Sequence, residues 1–335
     1  LLSALALMGI QSAFFGPVKY GILPQTLKKN ELMDGNGLVE MSTFLAILLG
    51  TMAGGFLIIQ SKTAVCITMI ATALVGWLLS FLIPKAEATS DRTPIKLNFF
   101  KESINLFKIA KKTKSIYLSI IGISWYWFIG ALILSQIPNY TIHTLRADES
   151  VVTFLLAVIS ISIGLGSIVC AKLSRGDIEI GMVPLGAIGI SLPLIDLYFL
   201  QHTHHKSLLT LGEFLSLSGF EHLRVVLDLA LFGFFGSFFI VPLYALIQHR
   251  GEEKYRSRLI AANNILNSLF MVGSAIMAMA LLSFGLSISD IFLIVGILNI
   301  AVSIYIFKLI PEFMIRFILW LLASTIYKIS YKGRS

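Results

Sequence analysis

The sequence predicts an all-α membrane protein, and three observations carry that expectation. Hydrophobic residues make up 56% of the 335 and charged residues only 13%, against about a quarter charged in a soluble domain. Apolar runs recur at about 20 residues, the length a helix needs to cross a hydrocarbon core at 1.5 Å per residue. Strand-period alternation is absent from those runs, so helices rather than a barrel supply the spans. The mean hydropathy of +0.86 agrees.

Nine spans are read, at 1–23, 36–59, 63–83, 117–139, 151–172, 180–200, 224–249, 258–284 and 286–310. The first closes on a Gly-Pro-Val-Lys-Tyr corner, Gly16 to Tyr20. Within it Gln11, Phe15 and Lys19 fall at i, i+4 and i+8, on one helix face. In the second, Asn36, Glu40 and Thr43 share a face. Charges inside an apolar span are costly, which makes Lys19 and Glu40 candidates for function. Both lie toward the same end of their helices, and they are expected either to pair across the two spans or to bind a ligand. Further along the second span, Ala46, Gly50 and Gly54 recur every four residues, the pattern that lets a neighbouring backbone approach.

The loop after the third span is the longest and most basic. Leu97, Phe100, Ile104 and Phe107 recur in it at helical spacing, among Lys96, Lys101, Lys108, Lys111 and Lys112. A basic amphipathic helix on an anionic inner leaflet is expected there. Gln136 and Asn139 stand near the far end of the fourth span. Asp196, Arg224 and Asp228 read as interfacial charges. Asn263, Asn264 and Asn267 form a polar patch in the eighth span, suited to interhelical hydrogen bonds or to substrate contact. Beyond Pro311, the apolar run Phe313–Tyr327 is broken by Arg316 and reads as an interfacial helix.

Orientation follows from charge. Alternate loops, assigned to one side, hold all of the 26 Lys and Arg except Lys62, Arg146, Lys206 and Arg224. The positive-inside rule makes the rich side cytoplasmic, and with it the C-terminus. The formal net charge of +8 is thus a topology signal and implies no nucleic-acid partner. Cys66 and Cys170, both in apolar segments, read as small core residues.

An internal echo sets the architecture. Phe14-Phe15 and Tyr20 correspond to Phe238-Phe239 and Tyr244 at an offset of 224. After a longer loop, Asn36 and Glu40 meet Asn263 and Asn267. Spans one to three thereby pair with seven to nine, and four to six have no partner. A duplication of six helices then predicts a parent of twelve spans, of which about nine are present, with three expected upstream of Leu1. Two parallel six-helix halves joined by a long loop are the architecture of major facilitator transporters. The expected units are 1–84, the second half of the N-terminal bundle; 85–115, the linker; 116–310, the C-terminal bundle; and 311–335, the interfacial helix.

Enzyme signatures do not stand. His143 and Asp148 have the spacing of a glycerolipid acyltransferase motif, but they sit in a short loop with no domain for an acyl donor. His202, His204 and His205 form one turn-like cluster without a further ligand, so no metal is assigned. Phosphate-binding glycine loops and nucleophile elbows are missing. No catalytic residue and no cofactor are expected in this chain.

GPVKYGILPQ with NGLVEMSTFLAILLGTMAGG, and VPLYALIQHRGEEKYRSRLIAANNILNSLF late in the chain, resemble the bacterial lysophospholipid transporters of the major facilitator superfamily. Ala171 to Gly176 is similar to the superfamily's short loop motif. The run IAANNILNSLF resembles the form fused to a 2-acylglycerophosphoethanolamine acyltransferase, often with an acyl-carrier-protein synthetase behind it. YKISYKGRS looks like the entry to such a domain, which would be a partner in the same parent chain. The resemblance implies inward movement of lysophosphatidylethanolamine across the inner membrane for reacylation, among membrane lipids. It makes Gln11, Lys19, Asn36, Glu40, Gln136, Asn263 and Asn267 the substrate-contact candidates. Where stand-alone members tend to carry an arginine, this chain has Leu134 and Gln136, so Lys19 becomes the expected phosphate partner and Glu40 the expected ammonium partner. A drug or metabolite exporter on the same fold, and a membrane anchor for the acyltransferase, are the alternatives.

Overall fold

The computed structural model describes residues 2–84, 99–174, 176–200, 208–216, 220–309, 315–319 and 322. Eleven α-helices run through them: α1 Leu2–Thr26, α2 Leu32–Gln60, α3 Lys62–Ser80, α4 Phe99–Lys111, α5 Lys114–Asn139, α6 Glu149–Ser174, α7 Met182–Phe199, α8 Leu211–Ser216, α9 Phe220–Arg250, α10 Arg256–Ser283 and α11 Ile288–Leu309. All but α4 and α8 are long and apolar enough to cross a membrane. These nine coincide with the nine spans read from the sequence. No strand occurs among the described residues.

Helix α9 is the centre of the packing. It is the most deeply buried span, lies against α6, α7 and α5, and touches α2. Helix α10 packs on α5 and on α1, and α11 packs on α7. Close approach is set by missing side chains. A Cβ on Gly166 of α6 would collide with the Phe234 backbone of α9, and one on Gly37 of α2 would come within 3.0 Å of the Ser167 carbonyl of α6. Small residues at such crossings let helices pack by dispersion where lipid offers no hydrophobic drive.

Buried polar side chains then tie the helices. Ser237 of α9 donates to the Ile163 carbonyl at 2.7 Å, and Ser167 donates to Ser237 at 3.1 Å. Trp125 of α5 donates its indole N–H to Asn299 of α11 at 2.9 Å. The Asn299 amide in turn donates to the Ala187 carbonyl and to Ser191 of α7. One asparagine thereby joins three spans, and it needs partners because hydrocarbon offers none.

The long loop does form a helix, α4, but its buried face differs from the expected one. Leu106 and Ala110 are buried, with α10 and α5 as the neighbours, while Ile104 is exposed. The helix therefore turns part of its apolar face to the protein. Lys96 and Leu97 lie outside the described residues, as do the linker stretch 85–98, most of 311–335 and the histidine cluster 202–205.

At the end away from the basic loops, the connection from α5 to α6 bonds to the segment before α8. Asp148 donates its backbone N–H to the Leu209 carbonyl, and Leu209 donates to the Arg146 carbonyl. The Asp148 side chain accepts from the backbone N–H groups of Ser150 and Val151 and from the Ser150 hydroxyl. It is the N-cap of α6, which accounts for Asp148 without any catalytic role.

Candidate functional site

Helices α1 and α2 meet the other spans mainly through their basic ends. On α2 the buried residues Met33, Asn36, Glu40, Phe44 and Leu48 recur every three to four positions, a single helical stripe. On α1, Tyr20 is 5% exposed, while Leu2, Leu7 and Phe14 are exposed.

The polar contacts of this stripe link α1 and α2 to α9. Asn36 donates to the Gln248 side-chain carbonyl at 2.6 Å, and Gln248 donates back to Asn36 at 3.1 Å and to the Tyr20 carbonyl at 3.1 Å. Asn36 and Gln248 are both 0% exposed. The Tyr20 and Tyr244 rings stack with centroids 4.4 Å apart and planes within 4°. The Tyr20 hydroxyl donates to Glu40 Oε1 at 2.7 Å, and Glu40 is fully buried.

Lys19 turns elsewhere. Successive helical residues project about 100° apart, so Lys19 cannot follow Tyr20 toward α9. Its ammonium donates to Thr43 at 3.1 Å and sits 4.7 Å from the Tyr20 ring centroid. The expected Lys19–Glu40 ion pair does not form: the Lys19 ammonium takes Thr43 and the Tyr20 ring, and Glu40 takes the Tyr20 hydroxyl. Lys19 instead borders a cavity of about 610 Å³ between α1 and α2, lined by Phe15, Lys19, Leu38, Val39, Ser42, Thr43, Ala46 and Ile47. The lining is apolar except for one ammonium and two hydroxyls.

The remaining sequence candidates separate. Gln11 is exposed on α1 and is not among the lining residues. Asn263 of α10 is buried beside Tyr244, its amide 3.5 Å from that hydroxyl. Asn267 accepts from Ser124 of α5 at 2.7 Å, an interhelical tie. Gln136 is buried near the other end of α5 and, among the described residues, donates to the neighbouring Ser135 at 3.3 Å. It is not brought to the Lys19 or Glu40 groups. Asp196 and Arg224 form a two-pronged ion pair, at 3.1 and 2.5 Å, between α7 and α9.

The small-residue ladder does not pack as expected. Ala46 lines the cavity, and a Cβ on Gly50 or Gly54 would meet nothing within 4 Å among the described residues. Past Leu48 the α2 stripe leaves the other helices, so the close approaches fall at Gly37 instead.

Gln248, Tyr126 and Trp127 belong to the site and were not singled out from the sequence. Gln248 sits at the end of a long apolar run in α9, where a lone glutamine reads as interfacial. Tyr126 and Trp127 sit within a Trp-Tyr-Trp-Phe run of α5 that reads as generic aromatic packing. Only the echo pointed to Tyr244. Among the described residues no three His, Cys, Asp or Glu side chains gather into a metal-binding group.

Comparison with known proteins adds two findings. The family model described as Major Facilitator Superfamily matches residues 1–222. The chain is similar to the lysophospholipid transporter LplT of Enterobacter sp. (strain 638), 31% identical over 257 residues, covering 74% of this chain and 58% of the relative. It is 30% identical over 252 residues to the transporter of the same name from Pectobacterium carotovorum subsp. carotovorum (strain PC1), covering 73% and 56%. With that of Escherichia coli O157:H7 the figures are 30% over 253 residues, 74% and 58%. The match thus spans under two thirds of each relative's length.

Proposed function

This chain belongs to the major facilitator superfamily, and on that premise we propose that it carries lysophospholipids, chiefly lysophosphatidylethanolamine, inward across a bacterial inner membrane. The observation that carries this reading is the cavity between α1 and α2. Its walls are the apolar Phe15, Leu38, Val39, Ala46 and Ile47, and its one charge is the Lys19 ammonium beside Ser42 and Thr43. A single-chain lipid has the matching form: one acyl chain for the walls and one phosphate for the cation. The transporter relatives support the same substrate class.

In this reading the basic end faces the cytoplasm. The contacts of Tyr20 and Asn36 with α9 close that end, and they must part for release to the inner leaflet. Rocking of two helix groups about a site between them would expose it alternately to each side. The lysolipid delivered inside is the acceptor for an acyl transfer, performed by an acyltransferase domain of the same parent chain.

Uptake of radiolabelled lysophosphatidylethanolamine by spheroplasts tests the proposal. Lys19→Ala is expected to lower uptake at least about tenfold, as loss of a charge-assisted contact to phosphate implies, with membrane insertion intact. Unchanged uptake removes Lys19 from the site. Efflux of hydrophobic cations with no lysolipid uptake by the unaltered protein would replace the function with export.

A further inference from the structure

We infer that Asp196 and Asp228 form a proton-binding site at the end of the bundle away from the basic loops, the two carboxyls holding one proton between them beside Arg224. Asp228 of α9 is not an interfacial charge: it is 7% exposed, and its Oδ2 is buried without a hydrogen-bond donor. Among the described residues the cation near it is Arg224, one turn earlier on α9, and that guanidinium is engaged with both oxygens of Asp196 on α7. The group that meets Asp228 across the α7–α9 interface is the Asp196 carboxyl itself.

The charges decide what completes the site. Two ionised carboxyls against one guanidinium leave one excess negative charge, and Asp228 holds it away from water. A buried carboxylate in that position requires a further positive partner or a proton. Two carboxylates in contact are both acceptors, and a single proton turns one into a donor to the other. A metal cation is a poor fit, because hard cations gather six or more oxygens and Arg224 already takes both oxygens of Asp196.

The surrounding elements leave that balance unchanged. Tyr140, in the turn after α5, presents a phenol toward Asp228. Glu221, one turn outward from Arg224, acts on Arg224, and the His222 ring stacks on Phe214 of α8. Among the described residues α6 and α11 add no charge at Asp228. The Asp196 and Arg224 side chains are 39% and 31% exposed, so Asp196 connects the buried carboxyl to water. With the proton in place the three groups sum to neutrality and α9 stays packed on α7. Without it, the excess charge is relieved only where the two helix ends part and admit water. The folded protein thus holds a proton at neutral pH that the unfolded chain releases, and its stability falls as pH rises. The site is separate from Lys19 and Glu40, and it stands whatever substrate is carried.

Two measurements on the full-length protein in detergent test the site. The infrared difference spectrum, unaltered protein minus Asp228→Asn at neutral pH, is expected to show the carbonyl band of one protonated carboxylic acid per molecule. The asparagine amide donates to Asp196 as the protonated carboxyl does, so the variant is expected to fold without needing the proton. The thermal unfolding midpoint of the unaltered protein is expected to fall between about pH 5 and about pH 8 by at least about 2 °C more than that of Asp228→Asn. Asp196→Asn leaves Arg224 free for Asp228 and is expected to remove the same band and the same slope; it decides the matter if Asp228→Asn fails to insert. A packing role without a proton predicts no acid band in either difference spectrum and parallel pH profiles, and either result overturns the site. A band that disappears on adding sodium at fixed pH overturns it too, in favour of a metal cation.

Discussion

Tyr20 and Tyr244, matched in the sequence at an offset of 224, stack on each other with ring centroids 4.4 Å apart and planes 4° from parallel. Two positions matched only by a weak pattern along the chain are in contact in space. The contact joins α1 to α9, and the Tyr20 hydroxyl holds Glu40 from the same position.

Tyr20→Phe keeps the stack and deletes the hydroxyl, so it isolates the bond to Glu40. Leaving a buried carboxylate oxygen without its donor costs on the order of 1–3 kcal/mol. Thermal unfolding in detergent should show a lowered midpoint for Tyr20→Phe. An unmoved midpoint would mean the phenol–carboxylate bond contributes nothing to the folded state.

Asn36 and Gln248 form a reciprocal amide pair between α2 and α9. Replacing one amide by leucine orphans the other in a buried site, and replacing both removes the need. A double-mutant cycle over Asn36→Leu and Gln248→Leu should give a coupling of about 0.5–2 kcal/mol, the range measured for polar pairs between membrane helices. Strict additivity would show that the two amides do not act as a unit.

Asp148 lies outside the spans, and the Ser150 hydroxyl holds its carboxyl below the usual range, with backbone N–H groups of Val151 and Ser150 adding to that. A carboxyl depressed in the folded state contributes stability that is complete above its unfolded value, about 3.9, and is lost as pH falls through the lower folded value. Asp148→Asn should therefore lower the unfolding midpoint at neutral pH and flatten its decline toward pH 3. A decline as steep as in the unaltered protein would assign the acid sensitivity to other carboxyls.

The polar candidates divide by how much of their role was local. Lys19, Asn36 and Glu40 could be read as candidates because a charge or amide in an apolar run is conspicuous whatever its neighbours. Their partners could not be read. Lys19 and Glu40 look like a pair when two helices are drawn side by side, but adjacent residues leave a helix about 100° apart. In the structure Lys19 bonds to Thr43 and Glu40 to the Tyr20 hydroxyl, so each group has a different partner. Gly50 and Gly54 carry a packing pattern that would suit any neighbour, and where α2 diverges after Leu48 no described helix uses it. Gly37, outside that ladder, is where α2 meets α6 within 3.0 Å of the Ser167 carbonyl.

The sequence by itself determined that nine stretches are apolar helices of spanning length and which loops are basic. These follow from the cost of bare peptide groups and of charges in hydrocarbon, which every residue meets separately. Only the tertiary structure decided that Lys19 borders the cavity between α1 and α2 while Asn36 and Glu40 are buried, bonded to Gln248 of α9 and to Tyr20. That choice depends on helix rotation and crossing, set by Gly37, Gly166 and the stacked tyrosines acting together across positions far apart in the chain.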